Sequence, residues 1–208
     1  LAPLLLFLAS ICAHAAPAGE WWNMTYLYRQ QLSIDPGASD LSAGYSVQVS
    51  FNHATEVTAG RSLASGNDVR VVRWNGSNWQ ELHRLVDPQS AWNSASTTLW
   101  FATGAAIDDA ATDPEYYLYY GNAGPAAPLE DPQQIFLLFD GFAGNALTSS
   151  RWSSSGSPSV SGGVLTLPVG ASIRSQGGFG EDTIWEARIQ VPASLPNGLG
   201  TNFSAVNP

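Results

Sequence analysis

Residues Tyr116–Asn122 read Tyr-Tyr-Leu-Tyr-Tyr-Gly-Asn and are the clearest structural signal in the chain. Aromatic residues at alternate places of this run are typical of a strand that packs rings on both of its faces. Gly121 and Asn122 tolerate the positive φ that a turn requires, so we expect the strand to end there. The block therefore predicts the last strand of a β-domain.

The segments upstream of this block also have strand character and no helical periodicity. Apolar and polar residues alternate, or β-branched and aromatic residues cluster, and turn residues separate the runs. The expected strands cover residues 22–34, 45–51, 69–74, 79–86, 97–102 and 115–120, with a hairpin at 75–78. Short strands without helices predict an all-β protein, and a β-sandwich is the expected first domain over residues 20–122.

A second region begins after a proline-rich segment. Residues 123–134 contain three prolines, which indicates a stiff linker. Ile135–Phe139 is then expected to open a second β-domain, with a turn at Gly162-Gly163, a strand at 164–167 and a strand at 183–191. Because residues 203–208 do not close this domain, we expect it to continue beyond Pro208.

The first 15 residues have the composition of an incomplete secretory signal peptide. They contain no charged side chain, Leu4–Ile11 is apolar, and Ala13-His14-Ala15 is a small-x-small cleavage pattern. A buried strand or a short core helix is the alternative. Export predicts a periplasmic, cell-surface or extracellular protein. Cys12 is the only cysteine, so the mature chain would contain no disulfide and no thiolate site.

The charge of the chain argues against two classes of partner. The formal net charge is -9, and all eight basic residues are arginines. An acidic surface repels nucleic acid and anionic lipid. After residue 15 there is no apolar run of the roughly 20 residues that a transmembrane helix needs. The sequence thus predicts no nucleic-acid partner and no membrane span.

The first region resembles a bacterial domain of unknown function. The residues that carry the resemblance are Trp22–Arg29, Asn67–Val71, Leu99–Phe101 and Tyr119–Asn122, and it covers roughly residues 20–125. That family occurs in exported multidomain proteins, and some members accompany MotA/TolQ/ExbB-type proton channels. The resemblance implies no catalytic residues, since none are assigned to the family.

The second region, residues 135–208, resembles the opening of a concanavalin-like jelly roll, the fold of laminin-G domains, legume-type lectins and family 16 glycosidases. The matching residues are Phe139–Phe142, Trp152, Gly162–Leu167 and Trp185–Ile189. The resemblance implies an incomplete jelly-roll β-sandwich, with a structural Ca²⁺ near its edge for which Asp140 is the candidate ligand. The paired-carboxylate strand of the glycosidases, Glu-x-Asp-x-Glu, does not occur in this chain.

Three tryptophans outside the cleanest alternating strands are the candidate ligand-binding residues: Trp21, Trp92 and Trp152. Aromatic faces stack on sugar rings because they attract polarised C–H bonds and exclude water. Packing in the core or in a turn is the alternative for each of them. Carbohydrate or another cell-surface component is the expected partner.

Other chemically interesting residues favour structural roles. Glu186 and Arg188 share a strand face and are expected to form an exposed ion pair rather than a catalytic group. His53 and His83 have no nucleophile elbow nearby, so they are expected at the surface or at a strand edge. The acidic residues of the 108–115 loop lack a Ca²⁺-loop spacing and are expected to be solvated.

These observations leave three functions open. The first is a non-catalytic exported module that binds carbohydrate or a cell-surface component. The second is a structural or adhesin spacer in a larger surface or transport-linked protein. The third is the N-terminal part of a glycoside hydrolase whose active site lies beyond the end of the chain, because retaining hydrolysis needs two carboxyl groups about 5–5.5 Å apart.

Overall fold

The computed structural model describes residues 21–180 and 183–188. The predicted signal peptide, Cys12 and the end of the strand expected at 183–191 lie outside the described residues. The chain divides between Phe139 and Asp140 into two compact units. Each unit is described by itself.

The first unit contains two antiparallel sheets. The first sheet has the order β1-β7-β3-β4 and the second has the order β2-β6-β5. Their strands are β1 (Tyr28–Ile34), β2 (Ser46–Phe51), β3 (Arg70–Trp74), β4 (Trp79–Leu82), β5 (Arg84–Val86), β6 (Thr97–Ala102) and β7 (Asp113–Tyr120). The expected all-β fold is confirmed.

The core of this unit forms from inward-facing residues of both sheets. The first sheet contributes Leu32, Ile34, Val71, Leu82, Tyr116 and Leu118, and the second contributes Val47, Val49, Leu99 and Phe101. Along each strand these residues occupy every second position, because successive side chains of a strand point to opposite faces. The period-two pattern in the sequence thus identified the buried face of β1, β2 and β6.

Two strand predictions were wrong at their boundaries. The strand expected from Trp22 begins only at Tyr28, and the side chain of Met24, expected on its buried face, is 73% exposed. The strand expected over 79–86 breaks at His83. Its first part, β4, pairs with β3 in the first sheet, and its second part, β5, pairs with β6 in the second sheet.

One helix was missed. Helix α1 (His53–Thr58) follows β2, and the side chain of Asn52 accepts a hydrogen bond from the Thr55 amide at its N-terminus. With six residues, the helix is too short to show the periodicity on which a prediction from sequence depends.

The segment expected to be a linker is part of the first unit. The Leu129 carbonyl accepts a hydrogen bond from the Arg84 amide, and the Asp131 amide donates to His83 Nδ1. After a short 3-10 turn at Pro132–Gln134, the side chain of Ile135 is only 2% exposed. No strand covers Ile135–Phe139, and the division into compact units falls after Phe139. The assignment of residues 135–208 to a second domain stays a prediction.

The described part of the second unit consists of two small antiparallel sheets. One pairs β8 (Trp152–Ser155) with β11 (Ser172–Ser175), and the other pairs β9 (Ser159–Ser161) with β10 (Val164–Thr166). Gly162 and Gly163 form the predicted turn, both with positive φ. Residues 183–188 form no strand, contrary to expectation. The likeness to a concanavalin-like jelly roll stays a prediction.

Candidate functional site

The outer face of the first sheet carries a continuous cluster of aromatic side chains. We call it the aromatic face and define it as Trp21, Trp22, Tyr26, Trp74, Trp79, Tyr117 and Tyr119. Tyr117 and Tyr119 stand two residues apart on β7, so they point away from the core residues Tyr116 and Leu118. Trp74 and Trp79 are cross-strand neighbours at the end of the β3–β4 hairpin.

The turn before β1 covers one end of this face. The Trp21 indole N–H donates to the Tyr26 carbonyl at 2.8 Å, and the Trp22 amide donates to the Tyr119 hydroxyl at 3.1 Å. The side-chain amide of Asn122 donates to the Thr25 hydroxyl at 3.1 Å. These bonds bring residues that are nearly 100 positions apart in the sequence onto one surface.

The rings meet edge to face rather than as flat stacks. The centroids of Trp21 and Tyr119 lie 5.3 Å apart at 83°, and those of Trp79 and Tyr117 lie 5.5 Å apart at 72°. Edge-to-face pairs are favoured because the positive edge of one ring meets the negative face of the other, and each adds about 0.5–1.5 kcal/mol beyond burial. Trp21, Trp22, Trp74, Trp79 and Tyr117 are half-buried, so part of each ring faces solvent.

A guanidinium group lies within the aromatic face. The Arg29 carbon Cζ is 4.9 Å from the centroid of Trp21 and 4.8 Å from that of Tyr117. Its Nη1 donates to the Tyr119 hydroxyl at 3.2 Å. Next along the outer side of β1, the Gln31 amide donates to the Pro114 carbonyl at 2.9 Å. Polar groups therefore border the rings on the β1 side.

Two tyrosines of this face, Tyr26 and Tyr117, stay neutral at physiological pH. Burial raises the pKa of Tyr26 and of Tyr117 above the ordinary value of about 10. The nearby guanidinium groups of Arg70 and Arg29 oppose these increases without reversing them. The face is thus a ring-rich surface with hydroxyl, amide and guanidinium groups among or beside the rings.

On the same side of the sheet as the aromatic face, Arg70 and Glu81 form an ion pair. Arg70 is almost fully buried and forms a salt bridge with Glu81 at 2.9 Å, while its other nitrogens donate to main-chain carbonyls, including that of Val69. Its guanidinium also lies 5.6 Å from the Tyr26 ring centroid. Such a buried cation is tolerated because it is paired and hydrogen-bonded.

A hydrogen-bonded cluster of His53, Ser62 and Asp68 has an arrangement that indicates a structural role. The Asn93 amide donates to His53 Nδ1 at 2.8 Å, so the neutral ring carries its proton on Nε2, which faces Ser62 Oγ at 3.0 Å. The Ser62 hydroxyl then donates to Asp68. In a catalytic triad the histidine lies between the carboxylate and the hydroxyl and accepts the hydroxyl proton. Here the serine is in the middle, so the cluster lacks that mechanism, and His53 is buried rather than at the surface as expected.

The structure places the three predicted tryptophans differently. Trp21 belongs to the aromatic face. Trp92 packs inside the first unit, against His53 with a 5.0 Å centroid distance and beneath the Arg84 guanidinium at 4.6 Å. It also fills the space where a side chain on Gly66 would be. Trp92 is half-buried and packs against the core, and its role in ligand binding stays a prediction.

Trp152 and Asp140, predicted as a ligand-binding residue and a Ca²⁺ ligand, contact each other in the second unit. The Trp152 indole N–H donates to Asp140 Oδ2 at 2.7 Å, and the Phe142 amide donates to Oδ1 at 2.8 Å. Arg151 lies 3.9 Å from the same carboxylate. A Ca²⁺ ion needs six to eight oxygen ligands, whereas these neighbours are donors. Within the described residues no three His, Cys, Asp or Glu side chains come together as a metal site.

Trp74, Trp79 and Tyr117 are site residues that the sequence did not single out. They lie inside alternating strands, so they did not stand out as candidate ligand-binding residues. The available signal was the alternation of side chains along each strand. Tyr117 lies between the core residues Tyr116 and Leu118, so its side chain points to the other face of the sheet. Trp74 is two positions after Val72 and shares its outer face.

The fold and the site thus define an all-β protein whose first unit, with its two sheets, presents an aromatic outer face. Residues 65–155 match the family model described as a domain of unknown function (DUF2341), which is less than half of the 208 residues. The likeness to a domain of unknown function was expected over roughly residues 20–125, and the match confirms it in part, over residues 65–125. Comparison with curated proteins and with solved structures found no match. Among the described residues, no helix is both long and apolar enough to cross a membrane.

Proposed function

We propose that the first unit is a non-catalytic, exported module that binds carbohydrate through the aromatic face. The observation that carries the proposal is the gathering of half-buried rings from β3, β4, β7 and the turn before β1 on one outer surface. Ring faces supply stacking area, and a few polar groups fix the orientation of a ligand. Arg29 and Gln31 are the polar groups beside the rings.

The proposal is tested by isothermal titration of the full chain with soluble neutral and acidic polysaccharides. Trp79→Ala is expected to weaken binding at least tenfold, which corresponds to about 1.4 kcal/mol. Trp79→Phe retains an aromatic ring and should recover part of the affinity. Trp185→Ala changes an exposed tryptophan of the second unit and is expected to bind like the unchanged chain.

Three results would overturn the proposal. The first is that no polysaccharide binds with a dissociation constant below about 1 mM. The second is that Trp79→Ala and Trp185→Ala weaken binding equally while both retain the circular dichroism spectrum of the unchanged chain. The third is a folded Trp79→Ala variant with full affinity, which would place the site elsewhere.

A structural spacer or adhesin segment is the second proposed function. Its support is the division of the chain into two compact units, an arrangement typical of tandem β-domains. The two functions are compatible, because a spacer can also bind a glycan. For the third hypothesis, a glycoside hydrolase, the described residues supply no paired carboxylates that favour it.

A further inference from the structure

A cleft of about 410 Å³ lies beside the open edge of β4 in the first unit. It is lined by residues 80–83, by Ala43 and Gly44, by residues 102–104, and by Gln134. It shares none of the residues of the aromatic face, and its lining contains no Phe, Tyr or Trp. Sugar stacking, the basis of the proposed function, is therefore not what this cleft offers.

Strand β4 ends its sheet in the described part of the chain, with β3 on one side only. The Asn75 amide bonds to the Asn78 carbonyl at the turn of this hairpin. Hydrogen-bonded and non-hydrogen-bonded pairs alternate along antiparallel strands. Counting from the turn, Gln80 and Leu82 exchange main-chain hydrogen bonds with β3. The amide and carbonyl of Glu81, between them, therefore point to the free side of the strand. The cleft lies along this free side.

We propose that this cleft binds an extended peptide segment of a partner protein, which adds to β4 as a further antiparallel or parallel strand. Exposed strand edges pair readily with another chain because their amides and carbonyls need partners. With four residues at about 3.3 Å each, β4 is roughly 13 Å long and takes a segment of about four residues. The proposal is independent of the proposed carbohydrate function.

The lining specifies the kind of peptide. Ala43, Gly44, Ala102 and Gly104 are small, so a main chain can come close to them but large side chains gain little from them. Gln80 and Gln134 offer neutral hydrogen-bonding groups, whereas the buried Thr103 hydroxyl is already bonded to Ser42 and Tyr45. The Glu81 carboxylate is already paired with Arg70, so it does not favour a basic peptide. The expected partner segment is uncharged and rich in small residues.

The segment after β7 holds one end of the cleft in place. The Asp131 amide donates to Nδ1 of His83, and the side chain of Asp131 caps the 3-10 turn that ends at Gln134. The cleft therefore exists without the peptide, so ordering of the protein does not add to the cost of binding.

The test begins with a random heptapeptide library displayed on phage and the full chain as bait. The enriched heptapeptide is then made in versions with single N-methylated amides, and binding is measured by fluorescence anisotropy. Strand addition predicts an alternating result: methylation weakens binding at least tenfold at every second position and less than twofold at the positions between. A peptide held by its side chains alone gives no such alternation.

Ala43→Trp tests the place of binding. Ala43 is exposed, and an indole there fills the cleft, so peptide affinity should fall at least tenfold. Ala59→Trp, at the exposed end of α1, is the matched control and should change it less than twofold. Polysaccharide binding should be the same in both variants, so failure of this proposal is distinguishable from failure of the proposed function.

Three outcomes would overturn the proposal: no enriched peptide, binding without alternation, or equal affinity of Ala43→Trp and the unchanged chain. Light scattering checks a fourth outcome, the formation of dimers. If the chain alone forms dimers that Ala43→Trp abolishes, the occupant is a second copy of this chain rather than a partner's peptide.

Discussion

Gly121 is held by three constraints at once, and it lies in the most conspicuous block of the sequence. Its φ is +88°, its amide donates to Asp68 Oδ2 at 2.8 Å, and a Cβ there would lie 2.6 Å from the ring of Tyr28. Gly121→Ala is expected to lower the free energy of unfolding by about 2–4 kcal/mol, from backbone strain together with overpacking. Urea denaturation measures the loss.

Gly76→Ala is the control that separates these two causes. Gly76 has φ +90° in the β3–β4 turn, but a Cβ there would meet nothing within 4 Å. Only the backbone strain applies, so a loss of about 1 kcal/mol is expected. Equal losses in the two variants would contradict the role assigned to the contact with Tyr28.

His53 makes the stability of the first unit sensitive to mild acid. Burial lowers the pKa of His53 below 6.5, and Nδ1 accepts the Asn93 amide, so a proton on Nδ1 would oppose another donor. The unfolded chain therefore binds more protons than the folded one when the pH is below about 6.5. The stability contribution of neutral His53 is complete above about pH 6.5 and is lost as the pH falls through the lower folded pKa.

Urea denaturation at intervals from pH 7.5 to pH 5 measures this dependence. His53→Gln preserves a donor toward Ser62 and cannot titrate, so its stability should change less over this range than that of the unchanged chain. Identical slopes for the two proteins would show that His53 does not contribute to the pH dependence.

At the scale of elements, the segment after β7 stabilises the sandwich. Ile135 is 2% exposed although it follows an apparent linker, whereas Leu137, two residues later, is 76% exposed. Ile135→Ala should cost about 2–5 kcal/mol because it leaves a cavity. Leu137→Ala should stay within about 0.5 kcal/mol. Thermal unfolding measures the stability of the two variants. A small effect for Ile135→Ala would mean that this segment is a linker that does not stabilise the first unit.

The sequence predicted the strands of the first unit better than their assignment to sheets. From Trp79 to Val86 the alternation continues without a break, since both Leu82 and Arg84 are buried. Leu82 faces the core from the first sheet, whereas Arg84 is on a strand of the second. Periodicity reports which residues are buried but not which sheet buries them, so the crossover at His83 was not visible.

The candidate site was predictable only in part for a related reason. Trp21 was identified because it lies outside the alternating strands. Trp74, Trp79 and Tyr117 lie within strands that are apolar on both faces, and a sequence does not show which of two apolar faces is covered. In addition, the turn that brings Trp22 onto Tyr119 depends on contacts across almost 100 residues, which no local pattern contains.

At the scale of the whole molecule, the two units differ in how much core their described residues form. Thirteen buried residues make the main core of the first unit, and ten of them lie on strands of its two sheets. In the described part of the second unit, Val160 is the buried hydrophobic residue, while Val164, Leu167 and Val169 are exposed. Sheets of two strands are marginally stable by themselves. The units should therefore open separately, the second at lower cost.

Hydrogen exchange followed by mass spectrometry tests this difference in the intact chain. Amides of β3 and β7, which lie between other strands, should exchange only through global unfolding of the first unit. Amides of β8 to β11 should exchange at least about 100-fold faster, because opening a two-stranded sheet exposes little buried surface. Adding the polysaccharide that binds best should slow exchange in the first unit and leave β8 to β11 unchanged, since the aromatic face belongs to the first unit alone. Equal protection of both units would mean that they unfold as one cooperative structure, and the second unit would then be a stabilising part of the module rather than a separate domain.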